Sequence, residues 1–365
     1  MSQQPDGIFS REDWPDVTGG RRISKFVGKD DVEFGCDVVV VGSGAGGAVV
    51  AAELAEGGLD VIVLEEGSYY GTEEFSPDAA TMVRKLYRDG GLTFALGSPP
   101  IIFAEGRCVG GTTVVNGGMT YRTPEKVLER WRIVDGVERI RMAEMDRYFA
   151  RVEKFICAGP QDSGTSSEDN ELFKIGAEKM GWKIIENIRN QFHCAGANNC
   201  AFGCPTGAKR STLVSYIPRA LAFGARVYAD CKVDRVITKN GNATGVTGVV
   251  IQANGDRGHR FVVRAKRVVL AAGAMQTPGI LLRSNIRTPS KRVGYNLALH
   301  PNVKLISVFD HNVEGWKGAH QMYQVRQFRD EGLMMAAVNL PPSMLAMSLS
   351  YYGRELGAFL KECTR

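Results

Sequence analysis

Gly42, Gly44 and Gly47, in the stretch VVVVGSGAGGA, have the spacing G-x-G-x-x-G, and Glu65 lies eighteen residues beyond the last of them. The chemistry that needs such a set is dinucleotide binding. Gly42 permits a tight turn, Gly44 lets the backbone approach a pyrophosphate, and Gly47 lets a helix pack closely on a strand. The helix N-terminus then offers free N–H groups and a partial positive charge to the phosphates. A carboxylate at the end of the next strand accepts hydrogen bonds from a ribose diol, which suits FAD or NAD and disfavours only a 2′-phosphate.

A second set is His193-Cys194-Ala195-Gly196-Ala197-Asn198-Asn199-Cys200-Ala201-Phe202-Gly203-Cys204-Pro205, with the spacing C-x5-C-x3-C-P. Three thiolates from one loop can hold an iron–sulfur cubane with one corner missing, and Cys-Pro is a common end to such a loop. Two other readings stay open: a zinc site that includes His193, and a compact loop whose cysteines pack as small hydrophobes. Cys36, Cys108, Cys157, Cys231 and Cys363 are isolated in the sequence and are read as structural.

The elements that must position these residues follow from the pattern. Asp37–Val41 reads as a strand, Gly47 to about Glu56 as a helix, and Asp60–Leu64 as a second strand, which makes one βαβ unit and predicts a parallel sheet. Residues 76–105 combine a helical stretch, PDAATMVRKLYRDG, with an irregular one, LTFALGSPPIIFAEG. Surface helices are expected over 123–132, 143–156 and 171–182, and another in STLVSYIPRALAFG. ARVYADCKVDRVITKNG, TGVTGVVIQANG and HRFVVRAKRVVLAAGA have strand character with glycine and asparagine turns, which predicts a β-meander returning to the first sheet. The fold class expected is α/β, with a Rossmann-like domain over 35–285, an insertion at about 126–213, the start of a mixed substrate domain over 286–365, and a polar extension over 1–34 that is either laid over the surface or disordered.

At 365 residues and 44% hydrophobic content the chain can bury a core. Its 45 basic and 40 acidic residues are spread along the whole length, so no stripe of the kind that neutralises nucleic-acid phosphates is present. Val38 to Ala52 carries no charge but holds four glycines and is shorter than the ~20 residues of a membrane span. The first residues have no apolar run, so a cytoplasmic protein is expected.

Three further stretches, GRCVGGTTVVNGGMTYRTP (106–124), VVLAAGAMQTPGILLRS (268–284) and VGYNLALHP (293–301), complete an order that resembles the glucose-methanol-choline (GMC) oxidoreductases, flavoenzymes that oxidise alcohols. The resemblance covers residues 37 to about 310 and implies non-covalent FAD. Gly42, Gly44, Ala45, Gly47 and Glu65 would hold its ADP half, Gly110, Gly111 and Asn116 would lie beside the pyrophosphate and isoalloxazine, and Val233 would meet the adenine. Gly273 would be the close-approach glycine of the return strand, a place where a plain strand-end turn is the other reading. Val115 stands where some members attach the flavin to a histidine. The glucose dehydrogenase branch is similar at the cysteine loop, which implies a three-iron cluster on Cys194, Cys200 and Cys204. The partners implied are an alcohol and an electron acceptor, whether a quinone, a cytochrome or oxygen.

Members of this family use a histidine to take the hydroxyl proton while hydride passes to the flavin, a task that suits a group titrating near neutral pH. None of His193, His259, His300, His311 and His320 matches that histidine, so no catalytic base is assigned. The expectation is an N-terminal portion of a GMC enzyme, or one half of a split enzyme that needs a second chain. Purified residues 1–365 are therefore predicted to show no alcohol turnover, and flavin reduction by any alcohol in that preparation would contradict the expectation.

Overall fold

Val38–Val41 is a run of four β-branched residues with no polar side to turn to water, and it lies in the middle of a sheet with every side chain at most 4% exposed. The computed structural model describes residues 7–9, 23–27, 31–307, 309–338, 341–343, 346 and 351–363. In chain order its elements are β1 (Ile8–Phe9), β2 (Ile23–Val27), β3 (Asp31–Val41), α1 (Ala45–Glu56), β4 (Val61–Leu64), α2 (Ala79–Leu86), β5 (Thr93–Ala95) and β6 (Ile101–Phe103). Then come α3 (Glu125–Val134), α4 (Met142–Phe155), β7 (Ala158–Pro160), α5 (Glu168–Lys179), β8 (Ile184–Glu186) and β9 (Ile188–Asn190). The rest are α6 (Tyr216–Ala222), β10 (Arg226–Tyr228), β11 (Cys231–Lys239), β12 (Asn242–Ile251), β13 (Arg257–Leu270), α7 (Gly273–Arg283), β14 (Tyr323–Val325), β15 (Met335–Ala336) and a last helix, Gly353–Cys363.

The chain divides into two compact units. One comprises Met1–Ser76, Thr81–Val115 and Thr212–Lys304; the other comprises Pro77–Ala80, Asn116–Ser211 and Leu305–Arg365. The first unit is built on one sheet in the order β1-β10-β4-β3-β13-β12-β11, with β2 also paired to β3. Its β1, β10, β4, β3 and β13 are parallel neighbours, and β13, β12 and β11 continue as an antiparallel meander. This is the α/β architecture expected, with the βαβ unit β3-α1-β4 at its centre and the meander joined to it through β13.

The helix α1 can lie close to the sheet because the side chains it buries are alanines and one glycine: Gly47, Ala48, Ala51, Ala52 and Ala55. The bulkier part of the core is shared by β3, β10 and the meander, where Phe34, Tyr228, Val246 and Phe261 are all at most 1% exposed and the Phe34 and Tyr228 rings sit 5.1 Å apart. A buried aromatic pair of this kind adds to simple area burial.

Several local expectations are corrected. Part of the segment expected as a surface extension is strand: β2 pairs with β3, and Val32 and Phe34 are buried. The stretch expected to be irregular, LTFALGSPPIIFAEG, contains the hairpin β5–β6, whose partners Phe94 and Ile102 share one exposed face. ARVYADCKVDRVITKNG, expected to have strand character, holds the two strands β10 and β11. Asp230, at φ +58°, turns the chain from parallel β10 into the meander strand β11.

The second unit holds α3, α4 and α5, a three-stranded sheet in the order β15-β14-β8 and the pair β7–β9. Asn170, fully buried, ties α5 to the chain before β14: its Nδ2 donates to Ala319 O at 3.2 Å and its Oδ1 accepts from Met322 N at 3.0 Å. Among the described residues no helix is long and apolar enough to cross a membrane.

The core assignment makes a contrast that can be measured. Phe261→Ala is predicted to lower unfolding free energy by about 3–5 kcal/mol, whereas Leu96→Ser, at a position 92% exposed, is predicted to change it by less than about 0.5 kcal/mol. Denaturant titration of both variants checks this, and equal losses would contradict it.

Candidate cofactor site

The turn between β3 and α1 is held by backbone packing that admits no side chain. A Cβ on Gly47 would meet Gly42 O at 1.9 Å, and Gly42 itself sits at φ +99°. Gly44 is the N-cap of α1, with no side-chain cap and no acidic residue in the first turn. The N–H groups that begin an α-helix have no partner within it, so this end presents donors and positive potential where a phosphate would bind. Ala45, the first helical residue, is exposed beside them.

The second glycine cluster comes up against the first. A Cβ on Gly111 would meet Gly44 Cα at 2.9 Å, so two backbones approach each other with nothing between them. Gly110 precedes it with a left-handed backbone at φ +97°.

Ser43 joins these parts. Its N–H and its hydroxyl both donate to Glu65 Oε2, at 2.9 and 2.7 Å, and the same hydroxyl oxygen accepts from Gly110 N at 2.9 Å. Glu65 Oε1 accepts from Gly67 N at 3.0 Å, and Cys231 N donates to Glu65 O at 2.7 Å. The Thr212 hydroxyl oxygen lies 3.1 Å from Ser43 O and 3.0 Å from Gly110 O, while the Thr113 hydroxyl donates to Gly110 O at 2.6 Å. Ser43, Thr113 and Thr212 were not singled out from the sequence. Ser43 occupies an x position of the glycine pattern, and the two threonines lie 99 residues apart.

Glu65 is 6% exposed. Burial pushes its carboxyl above the ordinary value, against the pull of the Ser43 and Gly67 donors, which favour the ionised form. Three donors do not exhaust the roughly four lone-pair sites of a carboxylate, so Glu65 keeps acceptor capacity for a ribose hydroxyl. An uncapped helix start, a backbone cradle that a Cβ would fill and a buried carboxylate together fit a dinucleotide.

The remaining residues expected at the site are placed as follows. Gly273 begins α7 at φ +81°, and a Cβ there would come only within 3.7 Å of Glu105 Oε1, so backbone conformation rather than crowding requires glycine. The Val233 side chain is in the core, which leaves its backbone on the edge strand β11 for any ligand. Val115 is buried.

Asn116 belongs to the second unit, where its Oδ1 accepts from Gly118 N at 3.1 Å. There two buried cations hold the Asn116–Gly118 backbone. Arg189, 1% exposed, donates from Nε and Nη2 to Gly117 O at 3.2 and 2.9 Å, and Lys209 donates from Nζ to Asn116 O at 2.7 Å. Neither was marked by any sequence motif.

The expected metal loop is a correction. Among the described residues no group of three or more His, Cys, Asp or Glu side chains is arranged to hold a metal ion. Two of the three sulfurs are committed locally instead. Cys200 is buried with Sγ 3.2 Å from Arg189 Nη2; Cys204 Sγ accepts from Lys209 N at 3.4 Å; Cys194 is half-buried in the turn whose N–H bonds Gln191 Oε1. Burial pushes the Cys204 thiol up, but the Lys209 and Thr206 donors and the Lys209 charge outweigh it and leave the thiol below its usual value. Of the histidines, His193 and His300 are exposed, His259 is half-buried on β13, and His311 is exposed between Asp310 and Glu168, each at 3.0 Å. His320 lies beside Gly117, whose added Cβ would come within 3.2 Å of the His320 ring.

Comparison with known proteins places this geometry. A family model described as GMC oxidoreductase matches residues 83–302, and one described as FAD binding domain matches residues 37–84. An uncharacterised GMC-type oxidoreductase of Mycobacterium tuberculosis is 39% identical over 322 residues, covering 88% of this chain and 50% of that protein. A long-chain-alcohol oxidase of Arabidopsis thaliana is 32% identical over 279 residues, covering 74% of this chain and 37% of that protein. The chain thus spans about half the length of the curated relatives it matches. The solved structure of pyridoxine 4-oxidase from Mesorbium loti shares the fold, with a TM-score of 0.52 at 19% identity, over 69% of this chain and 52% of that one.

Ser43→Ala tests the junction. A carboxyl raised by burial contributes stability that is present below its unfolded value near 4.5 and is lost as pH rises through the folded value. Removing the Ser43 hydroxyl raises the folded value further. Ser43→Ala is therefore predicted to cost about 1–3 kcal/mol near neutral pH and less at pH 4, and denaturant titrations at pH 4 and 8 check it. A loss that shrinks as pH rises would contradict this sign.

Proposed function

The chain belongs to the GMC oxidoreductase family, and from that premise we propose that it forms the FAD-holding part of an enzyme that oxidises the CH–OH group of an alcohol. The observation that carries the reading is the backbone approach of Gly111 to Gly44 beside the uncapped start of α1. Relatives named as long-chain-alcohol oxidases support an alcohol as the substrate class.

In this reading α1 and the Gly42–Gly47 turn receive the pyrophosphate, Glu65 accepts from the ribose, and Gly110 and Gly111 keep side chains out of the path between them. Bound FAD supplies a two-electron acceptor. Val115 has a hydrocarbon side chain and cannot form a bond to the ring, so the cofactor is held without a covalent link. Arg189 and Lys209 fix the Asn116–Gly118 backbone, the loop that the family resemblance puts beside the isoalloxazine. Electrons leave to a quinone, a cytochrome or oxygen.

A second reading, an FAD-binding module that needs a second polypeptide for catalysis, is favoured by one observation: no histidine of this chain matches the family's proton acceptor. The test is anaerobic mixing of the protein, purified from its own cells with any polypeptide that accompanies it, with a series of primary alcohols. Bleaching of the flavin bands is the expected result. Bleaching by NADH and by no alcohol would overturn the proposal.

A further inference from the structure

The meander carries a feature unconnected with the glycine turns. Two β-bulges flank its central strand at the same level. On one side Val233 pairs with Gly248 and Arg235 with Thr247, which leaves Asp234 as the extra residue of β11. On the other side Val249 pairs with Arg260 and Ile251 with Arg257, which leaves one extra residue on β13 between Arg257 and Arg260. Bulges bend the strand that carries them and sharpen its twist; a pair on opposite neighbours of one strand curves the sheet around that strand. The result is a trough of about 420 Å³ lined by Asp234, Arg235, Thr247, Val249, Arg257 and Arg260, together with the backbones of Gly248 and Gly258.

The face it occupies follows from the register. Val246, Gly248 and Val250 point into the core, where a Cβ on Gly248 would meet Phe261 Cζ at 2.5 Å. Thr247 and Val249 therefore point the other way, and so do their direct partners Arg235 and Arg260. The floor is short and partly apolar, the walls are long and cationic, and Val249 is only 6% exposed beneath them, as expected where arginine stems lie over an apolar residue.

The charge is not balanced within the protein. Arg257 pairs with Asp234, whose backbone oxygen also accepts from Arg283 Nε at 3.1 Å. The side chains of Arg235 and Arg260, both exposed, make no hydrogen bond or ion pair with any described residue. Two guanidiniums held on either side of one strand repel each other, and each offers a planar fork that matches phosphate oxygens in a bidentate way.

We propose that this trough binds a small ligand bearing two adjacent phosphate-type anionic groups, with Arg235 and Arg260 gripping it from opposite sides of β12. The volume suits a small molecule. The site is separate from the cofactor turn, because none of its lining residues belongs to the glycine clusters or to the Ser43–Glu65 junction.

Isothermal titration with inorganic pyrophosphate tests it, in the wild type and in R235Q, R260Q and the double variant. Both side chains are exposed and without partners, so the fold is retained; circular dichroism verifies this. Each single substitution is predicted to weaken the arginine-dependent binding by about tenfold, and the wild-type affinity is predicted to fall with added salt. Because the helix start of α1 also attracts pyrophosphate, only the part lost in the double variant is counted. Equal binding by wild type and double variant would overturn the proposal. So would association with anionic vesicles or a polynucleotide but not with pyrophosphate.

Discussion

The two glycine clusters and the carboxylate at the end of β4 converge on one serine. The Ser43 hydroxyl hydrogen-bonds to Glu65 at the end of β4 and to Gly110 in the second glycine cluster, so one side-chain oxygen links three segments far apart in sequence. The bonds close only if α1 sits hard against the strands. That in turn requires Gly47, because any larger residue would collide with Gly42 O. Close packing and hydrogen bonding at this point are one constraint.

That constraint explains why a carboxylate can be buried here. A lone ionised Glu65 would be costly in such surroundings; three donors offset the cost, and the protein still leaves it raised above its ordinary value. The same donors fix its orientation, so the acceptor capacity that remains is already positioned before any ligand arrives. The backbone contact between Gly44 and Gly111 works in the same direction, since it sets the width of the cradle without relying on a side-chain rotamer. Preorganisation of this kind reduces what binding must spend on ordering.

How much of this could be read beforehand differs from residue to residue. The glycines were legible because each meets a backbone demand that other residues fail, and Val38–Val41 because four adjacent apolar β-branched residues need burial on both faces. The meander was legible from its turns. Ser43 was not, since nothing in G-x-G-x-x-G restricts the second position, and its partners are set by tertiary packing. Arg189 and Lys209 carry no pattern at all; their function, holding backbone carbonyls of the Asn116–Gly118 loop, exists only in the folded chain. The cysteine spacing left three readings open for the same reason: C-x5-C-x3-C fixes distance along the chain but not the direction of each sulfur, and here Cys200 and Cys204 turn to Arg189 and Lys209. The hairpin in LTFALGSPPIIF was legible in principle, from a Gly-Ser-Pro-Pro turn between two apolar runs.

The central claim is that the two glycine clusters form a site for FAD, and the most direct measurement is the visible absorption spectrum of the purified chain after FAD is added and unbound flavin is removed by gel filtration. The account predicts flavin bands that stay with the protein. A colourless protein that retains none of the added flavin would contradict it.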